Sequence, residues 1–117
     1  MNLLDLFKYE KGQPFAKGTV VFKEGDPGTH MYVVKAGKVD LKIHDKTIHT
    51  FSEGELFGEM ALIEHDKRSA TTIAATDCEL FLLDEHRFQF LVQQTPYFAQ
   101  HVMKVMADRL RAMNKLA

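Results

Sequence analysis

Most of this chain consists of short segments rich in β-branched and aromatic residues, separated by close turn signals. Such segments favour strands, and brief turns between them favour antiparallel hairpins. The predicted strands cover residues 19–23, 30–35, 38–44, 47–52, 70–76 and 79–83, with turns at 25–28, 36–37 and 45–46. Short strands at this spacing indicate an antiparallel β-roll of the jelly-roll, or double-stranded β-helix, type.

The sequence changes to a helical period after the last strand. Asp84 is a suitable N-cap for a helix over residues 85–94, with Phe88, Leu91 and Val92 on one face. Thr95 followed by Pro96 predicts the start of a second helix that runs to about Lys115. Its apolar stripe comprises Phe98, Val102, Val105, Met106, Leu110 and Met113. The fold class is therefore α+β and mainly β.

A chain of 117 residues suits one domain that can bury a core without disulfides or structural metal. We expect the β-roll at about 14–83, C-terminal helices at about 84–94 and 96–115, and a helical or irregular cap before them. A net charge of −1, from 15 basic and 16 acidic residues, gives no global attraction to nucleic acid or anionic membranes. The single Cys78 is predicted to be a small buried core residue.

The chain lacks the basic start and apolar run of a signal peptide, and no stretch approaches the ~18 apolar residues of a membrane span. A cytoplasmic protein without a membrane partner is expected.

A phosphate-binding arrangement is indicated by residues 57–62 together with the run 68–70. A short helix that opens at Gly58 would leave its first N–H groups unpaired, and these attract an anion. The planar guanidinium of Arg68 can hold two phosphate oxygens, and Ser69 adds a neutral donor. A phosphate would repel Glu59, so this carboxylate is predicted to accept hydrogen bonds from a sugar hydroxyl.

The candidate ligand-binding residues of this segment are Phe57, Gly58, Glu59, Met60, Ala61, Arg68, Ser69 and Ala70. Gly58 and Ala61 would contribute only backbone N–H groups.

The run Gly58-Glu59-Met60-Ala61-Leu62, a five-residue loop and Arg68-Ser69-Ala70 resemble the phosphate-binding cassette of the cyclic nucleotide-binding domain family. This family includes catabolite-activator-type regulators, kinase regulatory subunits and nucleotide-gated channels. The resemblance covers roughly residues 14–113. It implies a receptor module whose ligand is cAMP, or as second choice cGMP, with no other cofactor.

The resemblance also implies a role for the terminal helix, which in this family closes over the bound base and in dimeric members contacts its twin. Met106, Leu110 and Met113 could serve either purpose, so a homodimer or another protein partner is expected there. Asn114 could hydrogen-bond the base, or Arg111 could stack on it, whereas a solvated helix end is the alternative. No helix-turn-helix follows, so direct nucleic-acid binding is not expected.

Two alternatives belong to other classes. A degenerate module could keep the roll and bind a protein partner without a ligand, although retention of Glu59 and Arg68 argues against it. A cupin-type metal protein needs a His-x-His pair and a nearby Glu, and His44 and His49 do not provide this spacing. No nucleophile has an attendant base, so neither enzyme activity nor a metal site is predicted.

Overall fold

A computed structural model of the chain describes residues 2–116, except for the side chains of Met113 and Leu116. The predicted contact of Met113 therefore lies outside the described residues. A short 3-10 helix, Leu3–Phe7, precedes the first strand. The strands are β1 Gln13–Phe15, β2 Val20–Phe22, β3 His30–Ala36, β4 Val39–Ile43, β5 Lys46–Phe51, β6 Leu56–Phe57, β7 Thr71–Ala74 and β8 Cys78–Asp84. The helices are α1 Glu59–Glu64, α2 Glu85–Gln94 and α3 Pro96–Leu116.

The strands form two four-stranded sheets, with orders β1-β8-β3-β6 and β2-β7-β4-β5. Every strand pair in the described residues is antiparallel. The chain crosses between the sheets repeatedly, because neighbours in a sheet are seldom neighbours in sequence. This arrangement confirms the predicted antiparallel β-roll with a short cassette helix and two C-terminal helices.

The prediction did not include β1 and β6, which form the two edges of one sheet. Pro14 in β1 cannot donate a ladder hydrogen bond, which is tolerated on an edge strand. The two-residue strand Leu56–Phe57 is too short to show alternation.

The turn between β4 and β5 was predicted at residues 45–46 and lies one residue earlier. His44 and Asp45 have φ angles of 50° and 63°, so both adopt the left-handed conformation of a tight hairpin turn. Asp tolerates this conformation better than most residues. Lys46 is therefore already the first residue of β5.

A hydrophobic core lies between the two sheets. Its buried members are Tyr32, Val34, Val39, Phe51, Phe57, Ala74, Cys78 and Leu80. The rings of Phe51 and Phe57 stack with centroids 4.9 Å apart, and Phe57 stacks on Tyr32 at 5.1 Å. Cys78 is buried, as the sequence predicted. This aromatic core reaches the start of the cassette through Phe57.

The chain divides into two compact units, the β-roll unit up to Glu85 and a helical unit from His86. Within the helical unit, the rings of Phe88 and Phe98 meet edge to face at 5.8 Å. Phe98 and Val102 of the predicted stripe are buried, whereas Leu110 is 60% exposed. Val92, predicted on the apolar face of α2, is exposed, and no residue of this helix, which the structure describes in full, is fully buried.

Candidate functional site

The cassette helix α1 begins directly after Gly58, which confirms the predicted start. Gly58 has φ 79° and ψ 8°, a left-handed conformation that side chains rarely adopt. An added Cβ would lie 2.9 Å from Nη1 of Arg68. Within the described chain, no side chain caps this helix. Both the turn and the close approach of the arginine therefore favour glycine at this position.

The backbone of Arg68 is fixed by the turn that follows β2. The Arg68 N–H donates to the Asp26 carbonyl at 2.8 Å, and the Gly25 N–H donates to the Arg68 carbonyl at 2.9 Å. The Gly28 N–H donates to the carbonyl of Asp66 at 3.1 Å. The predicted turn at 25–28 thus holds the cassette loop in place.

The Arg68 side chain is 4% exposed, so it is buried in the roll. Its Nη1 donates to the Gly58 carbonyl at 2.6 Å, and Nη2 donates to the His30 carbonyl. Its Cζ lies 4.1 Å from the centroid of the Phe22 ring and 5.8 Å from that of Tyr32. The buried Nε has no hydrogen-bond partner among the described residues. One donor of the fork is therefore buried without a partner in the described part of the chain.

Burial lowers the pKa of Arg68, because a charged guanidinium loses hydration there. Tyr32, Glu59 and Asp26 oppose this shift. Burial also raises the pKa of Tyr32, and the charge of Arg68 partly offsets that rise. These groups interact electrostatically within one site.

Glu59 is the first residue of α1 and is 1% exposed. Its negative charge acts on the guanidinium of Arg68. The structure thus brings together the two charged residues that the sequence selected. The contact of Glu59 with a sugar hydroxyl remains a prediction.

The other candidate residues differ in exposure. Phe57, Ala61 and Ala70 are buried, and Met60 is 50% exposed. Ser69 is exposed next to the buried Arg68. The contacts of these residues with a ligand remain predictions, and the stacking of Phe57 on Tyr32 shows that it also serves the core.

Arg111 and Asn114 lie exposed in the last turns of α3. Nη1 of Arg111 donates to Oδ1 of Asp108 at 3.3 Å, within the same helix. Their predicted contact with a base remains a prediction.

Sequence reasoning missed three contributors to the site, namely Phe22, Tyr32 and the His30 carbonyl. Phe22 and Tyr32 were interpreted only as strand residues. Alternation along β2 and β3 could have placed them inside the roll. Their approach to Arg68 depends on strand pairing between distant parts of the chain.

Two further findings concern other site classes. In residues 2–116, no group of three or more His, Cys, Asp or Glu residues could hold a metal ion. None of the helices described by the structure is both long and apolar enough to cross a membrane.

Comparison with known proteins links the site to a family. The sequence model described as "Cyclic nucleotide-binding domain" matches residues 12–95. The cAMP-dependent protein kinase regulatory subunit of Eremothecium gossypii is 39% identical over 74 residues, covering 63% of this chain and 16% of that protein. The cGMP-dependent protein kinase of Toxoplasma gondii is 37% identical over 81 residues, covering 68% of this chain and 8% of that protein.

A solved structure shows the same fold. The catabolite activator protein of Thermus thermophilus superposes with a TM-score of 0.84 at 32% identity, covering 95% of this chain and 55% of that one. The chain thus spans less than two thirds of the length of each of these relatives. The family match covers both the strands that form the roll and the cassette with Glu59 and Arg68. This chain belongs to the cyclic nucleotide-binding domain family.

Proposed function

We propose that this domain binds cAMP, with cGMP as the second choice, and that it transmits binding as a conformational change without catalysing a reaction. The kinase relatives carry cAMP or cGMP in their names, which supports this ligand class. The preference for cAMP over cGMP rests on the sequence resemblance alone. A cytoplasmic location is part of the same proposal.

One observation carries the proposal, the buried charge of Arg68. A buried cation is costly unless it is paired. The hydrogen bonds of its η nitrogens go to the neutral carbonyls of Gly58 and His30, and its Nε has no partner within the described part of the chain. The charges of Glu59 and Asp26 already act on Arg68, and a bound phosphate would add a further compensating charge and an acceptor for Nε.

The same geometry suits a cyclic phosphate attached to a sugar. Arg68 would hold the phosphate, and Glu59 would accept from a sugar hydroxyl. Each charge-assisted hydrogen bond contributes about 1.5–3 kcal/mol. Several such bonds would support micromolar binding after the cost of association is subtracted.

We further propose that α3 converts binding into a signal. Its last turns carry the exposed Leu110, Arg111 and Asn114, which are available to contact a base or a second protein. A homodimer or another partner on this helix is part of the proposal. A shift of a two-state helix from 1:99 to 99:1 requires about 5.5 kcal/mol of differential affinity. Most of that free energy must come from contacts made only in the closed state.

A competition experiment tests the ligand. A fluorescent cAMP analogue is bound to the protein and displaced with cAMP, cGMP and 5′-AMP. We expect cAMP to displace it at the lowest concentration, cGMP at a higher one and 5′-AMP poorly. If no cyclic nucleotide binds, the proposed ligand class is wrong, and the alternative of a module without a ligand is favoured.

A further inference from the structure

Phe22 is the last residue of β2, and its ring lies beneath the guanidinium of Arg68. The distance from Cζ to the ring centroid is 4.1 Å, well inside the ~6 Å within which a cation is attracted by an aromatic face. Since Arg68 is 4% exposed, this contact is almost removed from water. Such desolvated contacts are stronger than exposed ones.

Two neighbouring segments of the fold bring Phe22 and Arg68 together. β2 pairs with β7, and Phe22 lies opposite Thr72. Arg68 precedes β7, and its backbone bonds with Gly25 and Asp26 in the turn that follows β2. The ring and the guanidinium are thus attached to two segments that hydrogen bonds hold side by side.

The ring also has fixed neighbours of its own. Its centroid lies 5.8 Å from that of Tyr32 and 6.1 Å from that of Phe57. Tyr32 and Phe57 are buried core residues, so Phe22 has a firm support. An aromatic face that cannot shift also limits the position of the cation above it.

We propose that Phe22 is a positioning residue for phosphate binding, and this inference rests on the proposed function. The Cζ of the Arg68 guanidinium lies over the Phe22 ring, while the Gly58 and His30 carbonyls accept from its η nitrogens. These contacts leave the Nε–H, which is buried and has no partner among the described residues, as the donor of the fork that a phosphate oxygen would satisfy. Phe22 acts through Arg68 and needs no contact with the ligand.

Matched variants distinguish the positioning role of Phe22 from its ordinary role of filling the core. Phe22→Leu removes the ring face and keeps an apolar side chain, whereas Phe22→Tyr keeps the face. Phe81→Leu is the control, because Phe81 is a buried ring of the same unit that stacks on Phe7 and lies under a different cation, Lys35. Calorimetry measures cAMP affinity, and urea unfolding measures stability for all three variants.

We expect Phe22→Leu to weaken cAMP binding about tenfold, with Phe22→Tyr and Phe81→Leu within about threefold of the wild type. Affinity of Phe22→Leu within twofold of the wild type would overturn the inference. An equal loss of cAMP affinity in Phe81→Leu would also overturn it. So would an affinity of Phe22→Tyr as low as that of Phe22→Leu.

An NMR measurement on the ligand-free protein tests the positioning of Arg68 by Phe22 separately from the proposed binding of cAMP. The ring current of Phe22 should move the Arg68 Nε–H resonance upfield in the wild type and in Phe22→Tyr, but not in Phe22→Leu. If the resonance is the same in all three, Phe22 does not position Arg68. If the resonance responds as expected but cyclic nucleotides do not bind, the positioning is correct and the proposed ligand is wrong.

Discussion

The carbonyl oxygen of Gly58 accepts a hydrogen bond of 2.6 Å from Nη1 of Arg68. The residue that directly precedes the cassette helix is therefore tied to the arginine at the end of the cassette loop. Gly58 lacks a side chain, which allows the guanidinium to approach its backbone. The start of α1 and the side chain of Arg68 therefore form one unit, in which each affects the position of the other.

Replacing Gly58 with Ala should disturb this unit. The left-handed backbone would cost about 1–2 kcal/mol of folding stability, and the new Cβ would lie 2.9 Å from Nη1 of Arg68. Gly54→Ala is the matched control, because Gly54 has φ 87° and nothing within 4 Å of an added Cβ. Both variants should lower the free energy of unfolding, measured in urea. Only Gly58→Ala should also weaken cAMP binding; equal binding losses would mean that strain alone is responsible.

The Glu59 carboxylate is predicted to contact the 2′-hydroxyl of the sugar. Glu59→Ala should therefore weaken binding of cAMP more than that of 2′-deoxy-cAMP, since the deoxy ligand has no hydroxyl to lose. Calorimetric titration of both ligands into both proteins measures the difference. Equal losses would show that Glu59 acts instead through its electrostatic interaction with Arg68.

Much of the fold could be predicted from the sequence because most strands are longer than the turns between them. Strands β3 and β8 follow continuous apolar runs that a local pattern identifies. The missed strands β1 and β6 are short edge strands with little alternation. Their pairing with β8 and β3 is a long-range property that no local pattern contains.

The residues of the site likewise fall into those that a local sequence pattern predicts and those that depend on strand pairing. Glu59 and Arg68 were selected because their spacing follows a family motif, and the structure places both inside the roll. Phe22 and the His30 carbonyl were missed because their position beside Arg68 depends on how β2 and β3 pair with other strands. The predicted position of the turn at His44 and Asp45 was one residue too late, because the type of a turn depends on backbone angles.

Cys78 provides a prediction about pH. Burial, and to a smaller degree the charge of Asp77, raises the pKa of its thiol above the ordinary 9.0. A raised pKa in the folded state contributes stability that is complete below pH 9.0 and is lost as the pH rises. The difference in unfolding free energy between wild type and Cys78→Ala should therefore shrink from pH 8 to pH 10. A difference that stays constant would contradict a raised pKa.

The proposed closing of α3 predicts an effect of truncation. Removing the chain after Met106 should weaken cAMP binding tenfold or more and leave binding of a cyclic ribose phosphate without a base nearly unchanged. Amide exchange in residues 107–115 should slow when cAMP is added to the intact protein. If cAMP affinity survives truncation and exchange ignores the ligand, the helix end is only a structural brace.

The phosphate-binding role of Arg68 is the central claim, and the charge-assisted fork is its physical basis. Lysine has one ammonium group and cannot reproduce a fork of parallel donors. Arg68→Lys should also lower stability by about 1–3 kcal/mol, because a buried carbonyl loses its partner. Arg87→Lys on α2 is the control for an arginine outside both the cassette and the last turns of α3.

Calorimetric titration of wild type, Arg68→Lys and Arg87→Lys with cAMP and with adenosine tests this claim most directly. We expect cAMP to bind the wild type and Arg87→Lys at one site with micromolar or higher affinity. Arg68→Lys should lose at least ~2 kcal/mol of binding free energy. Adenosine, which lacks the phosphate, should bind all three proteins weakly and equally. An affinity of Arg68→Lys for cAMP within twofold of the wild type would contradict the account.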